Sequence, residues 1–171
     1  MQGMRMKMKT CWILLVVLGF YSPAAPTNGN RTEHRFWTPL GKFDEKRDPA
    51  SDLQLAIKEA RVSKRRILLD VGGEWCIWCR RLDTLFIRNP DLSEFLHANF
   101  VVVKVHYDNK VNTNEKFLSR YPKIPGYPHV FVLDKNGKLL KSQDTAELEE
   151  GKGHSKEKVM TFLQLWAPKK R

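Results

Sequence analysis

At 171 residues the chain is long enough for one domain with a proper core and short for two. Hydrophobic residues at 42% and charged residues at 29% lie near the globular average, which argues against an intrinsically disordered chain and a multi-span membrane protein. The formal net charge of +11 comes from Lys and Arg scattered along the chain without the interleaved aromatic motifs of a nucleic-acid reader, so no nucleic-acid partner is expected and the basic character reads as solvated surface.

Residues 1–24 have the layout of a secretory signal peptide. Arg5, Lys7 and Lys9 stand without an acid ahead of an uninterrupted apolar run from Cys11 to Phe20. That run is shorter than the about 20 apolar residues of a spanning helix, and the small residues Ser22 and Ala24 suit cleavage after Ala24. A retained anchor and lipid attachment at Cys11 compete with this reading; Cys11 opens the apolar run instead of closing it, which argues against the lipid. Cleavage removes three positive charges, leaving +8 (+11 − 3), and removes Cys11, so that Cys76 and Cys79 are the mature chain's cysteines. The expectation is an exported protein, periplasmic or secreted, with no stable membrane insertion after cleavage. A close cysteine pair kept alone in an oxidising space is a pair in use.

Residues 25–49 mix Pro, Gly, Asn and charge without a period and read as a flexible leader that docks through Phe36, Trp37 and Phe43. Within it Asn30-Arg31-Thr32 is a glycosylation sequon, relevant only in a eukaryotic host. The folded domain is expected over 50–171. Ser51 and Gln54 fit a capping box, and Leu53, Ala56, Ile57 and Ala60 follow at helical spacing, predicting a helix that ends near Arg65. ILLDVGG, residues 67–73, predicts a buried strand stopped by two glycines. Cys76 then opens a helix continued by Leu82, Leu85 and Phe86, with Cys79 one turn inside.

Asn89-Pro90 predicts a break and a new helix, with Asn89 as cap and Leu92, Phe95 and Leu96 turned inward. A second strand follows from Phe100, then a weaker helix near 114–120. HVFVLDKNGKLLKS predicts a hairpin turning at Asp134 to Gly137, and a last helix from about Ser155 carries Val159, Phe162, Leu163 and Trp166 on one face. This order describes an α/β fold with a central mixed β-sheet flanked by helices on both faces, a class that sites its chemistry where a central strand hands over to a helix.

The stretch GGEWCIWCRRLD, residues 72–83, holds the cysteines. Haem attachment needs His after the second cysteine, where Arg80 stands. A structural zinc site needs two more ligands, and His34, His97, His106, His129 and His154 lack the spacing, so zinc fits poorly. A dithiol fits better, because a Cys76 thiolate at a helix start is stabilised by unpaired N–H groups and the helix dipole, while Cys79 lies within reach and more shielded. Arg80 and Arg81 either add positive charge to the site or are solvated.

These residues resemble the thioredoxin superfamily over about 50–167, specifically exported thioredoxin-like proteins with a Cys-x-x-Cys active site and the branch related to periplasmic thiol-disulfide interchange proteins. In that family a buried acid stands six positions before the first cysteine, as Asp70 does, and a Trp precedes it, as Trp75 does. A cis-proline loop faces the dithiol there, and Pro128 in GYPHVFVLD matches its setting better than Pro122 or Pro125. Two departures are plain: Ile77-Trp78 replaces the family's usual residues between the cysteines, and Tyr127 precedes the proline where thioredoxin has a smaller residue.

The resemblance implies a thiol-disulfide oxidoreductase with no cofactor and no metal, acting on protein thiols and disulfides with a redox partner protein. Cys76 would attack, Cys79 would resolve, and Asp70, buried with a raised pKa, would move the proton. Trp75, Trp78, Tyr127 and Pro128 would contact substrate, with Trp78 exposed. The competing reading is a thioredoxin-fold binding module for a protein partner or a soft metal, with little turnover.

Overall fold

The computed structural model describes residues 42–110 and 113–169; the expected signal peptide and the docking residues Phe36 and Trp37 lie outside them. Helix α1 spans Pro49–Ser63. Its cap is Asp48, whose carboxylate accepts from the Ala50 and Ser51 N–H groups, and Pro49 takes the first helical position, where no N–H is needed. The expected Ser51 cap is therefore displaced: the Ser51 hydroxyl donates to Asp48 at 2.7 Å. Lys64 closes the helix in the left-handed conformation at φ 59°.

Strand β1, Arg66–Gly72, follows, then α2, Ile77–Arg88, and α3, Pro90–Asn99. Asn89 joins the two helices as expected, but not as a side-chain cap: its Nδ2 donates backwards to Leu85 O at 2.7 Å. Strand β2 is Phe100–His106, and α4 is a single turn, Glu115–Leu118. The hairpin pairs β3, His129–Leu133, with β4, Leu139–Asp144, and Gly137 takes φ 87° in the turn, a conformation that suits glycine. A two-stranded ribbon, β5 (Glu149–Glu150) and β6 (Gly153–His154), precedes α5, Lys156–Trp166. Strands of two residues are too short to leave a period in the sequence, and none was expected there.

The main sheet runs β2-β1-β3-β4, with β1 and β2 parallel and the other pairs antiparallel. Both faces are covered. Alternation along the strands sends Ile67, Leu69, Val71, Val101, Val103 and Val105 toward Leu53, Ala56 and Ala60 of α1 and Phe117 of α4. Leu68, Val102, Val130 and Val132 face the other way, onto Leu82, Phe86, Leu92 and Leu96 of α2 and α3 and Phe162 of α5. The central strand β1 thus ends, at Gly72, beside the start of α2.

Candidate active site

Between β1 and α2 the chain makes a turn closed by Cys76 N–H donating to Gly73 O at 3.0 Å. Cys76 caps α2 with its own sulfur, which accepts the Cys79 N–H at 3.1 Å. The two cysteines are joined as a disulfide with Cα atoms 5.2 Å apart. Cys76 Sγ also lies 3.4 Å from the carbonyl oxygen of Tyr127, a contact that the reduced thiol turns into a hydrogen bond. Both cysteines are buried, Cys76 at 4% exposure and Cys79 at 2%, so their difference lies in position on the helix more than in access. Two glycines permit this turn: a Cβ on Gly72 would come within 2.5 Å of Cys79 Sγ, and one on Gly73 would overlap the Trp75 indole.

Behind Cys79 sits a charge cluster, buried at Asp70 and Lys104 and half-buried at Asp83. Asp70 and Gly72 are two apart on β1 and share a face, so the Asp70 carboxyl lies one step, roughly 7 Å along the strand, behind the glycine that touches Cys79. Across the parallel pairing Asp70 stands opposite Lys104 of β2. The Lys104 ammonium lies 3.4 Å from Asp70 Oδ2 and donates at 2.8 and 2.7 Å to the two oxygens of Asp83. Asp83 is four residues after Cys79, one helical turn along the same face of α2. Asp70 Oδ1 accepts no hydrogen bond among the described residues. Burial holds the Asp70 carboxyl above the usual carboxylate range against the pull of Lys104. Burial first, and the Asp70 charge second, push Asp83 up to about 7, again against Lys104.

Phe43 closes this cluster from outside. It is buried against Cys76 and Cys79, and the Lys104 ammonium stands 4.1 Å from its ring centroid, over the ring face. The Phe43 N–H donates to Glu74 Oε1 at 2.8 Å. The leader's expected docking through Phe43 thus brings it onto the dithiol itself.

The peptide bond between Tyr127 and Pro128 is cis, and Pro128 is buried next to the cysteines' side of β3 with its carbonyl accepting from the Thr145 hydroxyl. Tyr127 stacks on Tyr107 at 4.6 Å and meets the Trp75 ring edge-on at 5.8 Å, while Trp75 Nε1 donates to Tyr107 O at 2.8 Å. Burial and the hydrogen bond to Tyr107 raise the Tyr127 phenol, keeping it neutral.

Trp78 departs from expectation. It is half-buried, edge-on to His154 of β6 at 5.8 Å and covered by the Arg81 guanidinium at 4.5 Å, because the unexpected ribbon lies against α2 there. The exposed apolar groups beside the dithiol are Trp75 and Ile77. His129 points to the far face of the sheet, against Phe131 and Ser142. Lys104 and Asp83 go beyond the sequence reading, which places Phe43 in a docking leader but not at the dithiol. Lys104 alone had a signal, a lone charge inside the apolar run FVVVKVH.

A thioredoxin-like family profile matches residues 48–135. The thiol:disulfide interchange protein DsbD of Pseudomonas fluorescens is 29% identical over 126 residues, covering 72% of this chain and 19% of that protein, so the chain spans about a fifth of the relative's length. Among solved structures, a disulphide isomerase from Xylella fastidiosa superposes with a TM-score of 0.62 at 24% identity, covering 74% of this chain and 97% of that one. The oxidised C-terminal domain of DsbD from Neisseria meningitidis superposes with a TM-score of 0.51 at 19% identity, covering 70% of this chain and 96% of that one. With the profile spanning more than half of the chain, on the strand, helix and cysteine pair just described, this protein belongs to the thioredoxin-like family.

Proposed function

We propose that the protein is a thiol-disulfide oxidoreductase that exchanges disulfides with protein substrates through Cys76 and Cys79. The observation that carries this reading is the cysteine pair itself, closed as a disulfide on the first turn of α2 with Cys76 Sγ against the carbonyl before Pro128. The name of the Pseudomonas relative, a thiol:disulfide interchange protein, points the same way.

In the reducing direction the Cys76 thiolate attacks one sulfur of a substrate disulfide. A new S–S bond forms to Cys76, and the other substrate sulfur leaves as a thiolate. The Cys79 thiol then gives its proton to one carboxylate of the Asp70–Asp83 pair and attacks Cys76 Sγ. The mixed disulfide breaks, the second substrate thiolate departs, and the Cys76–Cys79 disulfide closes. The substrate gains two electrons and the protein loses two; a dithiol partner restores the protein, and the reverse sequence oxidises a dithiol. The thiolate at Cys76 is favoured by the Cys79 N–H and the positive end of the α2 dipole. A carboxyl near pKa 7 is suited to a thiol proton at neutral pH, and the cluster supplies one. Trp75 and Ile77 form the exposed rim against which a substrate segment lies, with half-buried Tyr127 beside it and Pro128 beneath; Trp78 contributes only its edge.

The protein is further proposed to work outside the cytoplasm, on the strength of the basic start, the short apolar run and the Ser22 and Ala24 pair. Among the described residues no helix is long and apolar enough to cross a membrane.

Mutant trapping tests the exchange reading. Cys79→Ser attacks without releasing, so covalent complexes with protein partners accumulate on non-reducing gels, and Cys76→Ser accumulates far fewer. Equal trapping by both variants would reverse the assigned roles, and no trapping by either, with metal retained instead, would replace the enzyme with a binding module.

A further inference from the structure

We propose that Phe43 is a positioning residue for this exchange: its ring keeps water off the buried Lys104–Asp70 end of the charge cluster behind Cys79, and so sets the pH range in which Cys79 resolves a mixed disulfide. The inference rests on the proposed dithiol chemistry but concerns a residue outside the Cys-x-x-Cys turn, on the segment before α1.

The geometry is specific. Phe43 is 6% exposed although Lys42, Asp44, Glu45, Lys46, Arg47 and Asp48 around it are all exposed. One apolar side chain is thus inserted from an otherwise solvated strap. The strap is fastened at both ends of its run. Upstream the Phe43 N–H donates to Glu74 Oε1, in the turn that leads to Cys76. Downstream, Arg47 pairs with the buried Asp52 of α1 at 2.5 Å, and Asp48 caps that helix. The ring's outer edge reaches Gly72, where an added Cβ would stand 3.2 Å from Cζ, and its face takes the Lys104 ammonium. Ring, Gly72 and Cys79 therefore come together, with Lys104 over the ring and paired with the two carboxyls.

An ammonium held by two carboxylates and an aromatic face needs no water, and burial is the largest influence raising both Asp70 and Asp83. The groups facing the two carboxyls are Lys104 from β2, each other from β1 and α2, and Glu74 from the intervening turn. On the strap's open side lies a cleft whose titratable walls are Lys42, Asp44, Glu45, Lys46, Glu74, His106 and Asp108. Water from that cleft is one aromatic ring away from the cluster. Removing the ring hydrates the carboxyls, lets their pKa values fall toward the ordinary range, and leaves a weaker base for the Cys79 thiol.

The test uses an aromatic disulfide whose leaving thiolate is coloured. Reduced protein releases one thiolate when Cys76 attacks and a second when Cys79 resolves, so the two steps separate in one trace. Phe43→Ala is expected to move the midpoint of the second step's pH profile down by about one unit and to lower its plateau several-fold, with the first step little changed. Phe43→Leu, which refills the volume, should move the midpoint back toward wild type. In the oxidised protein, the NMR titration of the Asp83 carboxyl should fall in parallel. If Phe43→Ala does not fold, Phe43→Val, too short to reach Lys104, carries the same expectations. A variant whose second-step profile and Asp83 titration superimpose on wild type overturns the role of Phe43. A wild-type protein that releases no second thiolate overturns the dithiol reading itself.

Discussion

The two faces of the central sheet are built from the same strands and are both covered by helices, yet they differ in what they bury. Toward α1 and α4 the strands present mainly apolar groups, from Ile67 and Leu69 through Val103 and Val105 to Phe131, with the buried His129, bonded to Ser142, set among them. Toward α2, α3 and α5 they present Leu68, Val102, Val130 and Val132 and then, at the end near the cysteines, Asp70 and Lys104. Burying apolar area stabilises a fold by about 25 cal/mol per Å², whereas burying an ion pair gains little net stability and often costs some. The second face is therefore less stable than an apolar one of the same volume. What it gains is a pair of carboxyls raised above the ordinary range beside the dithiol, Asp83 to about 7.

The sharpest way to break that comparison is to remove the cation. Lys104→Met fills the space but leaves Asp70 and Asp83 facing each other without a positive charge, and should cost about 3–5 kcal/mol at neutral pH, measured by denaturant unfolding of the oxidised protein. The loss should shrink as the pH falls, because protonating both acids removes their repulsion and their need for a partner. A cost independent of pH would mean that Lys104 acts by packing on Phe43 alone. On the other face Leu69→Ala should cost about 3 kcal/mol through the cavity it leaves. There the release of the second thiolate should keep its wild-type pH profile. A shifted profile would show that the faces are not independent.

The sequence announces these two faces unequally. Strands, helices and the cysteine turn are legible because burial imposes a period, and Asp70 is legible because an acid inside ILLDVGG breaks an apolar run. Lys104 breaks FVVVKVH in the same manner, and the same reasoning extends to it. Asp83 is hidden by its helix: an acid next to Leu82 on an amphipathic segment reads as solvated face, and only the fold turns it toward Lys104. Phe43 is hidden by distance, since a single aromatic in a charged segment carries no period and its partners lie more than thirty residues away. Trp78 was read as exposed because the ribbon that covers it is too short to be seen in sequence.

Within the charged face, substitution tells the two acids apart. Asp70→Asn should slow release of the second thiolate about tenfold near pH 7, equivalent to about 1.4 kcal/mol, with Asp83 left to take part of the proton traffic. Asp70→Asn with Asp83→Asn should slow it further. If the single variant resolves at the wild-type rate, Asp83 alone handles the proton, and if the double variant does so as well, neither acid takes part.

The most diagnostic effect, small at each half-unit step, is on the pH dependence of stability. A carboxyl whose pKa is higher in the folded state than in the unfolded chain binds its proton more tightly when folded. Between those two values the folded protein therefore holds the extra proton, and stability must fall as pH rises. For Asp83 the window runs from about 4, the unfolded carboxyl, to about 7, and Asp70 shifts in the same direction. The stabilising contribution is present in full below pH 4, is lost progressively across the window, and stays lost above it. The slope is at most about 1.4 kcal/mol per pH unit for each proton held. Other buried acids and bases superimpose their own slopes, so the quantity to measure is a difference: denaturant unfolding of the oxidised wild type minus that of Asp83→Asn, at half-unit steps from pH 4 to 8. The amide cannot ionise, so the variant should gain on the wild type steadily across the window and run parallel to it above pH 7. A difference that shrinks instead as the pH falls would mean that Asp83 is held as a carboxylate by Lys104. The charged face would then be a structural ion pair, and its part in proton transfer would be gone.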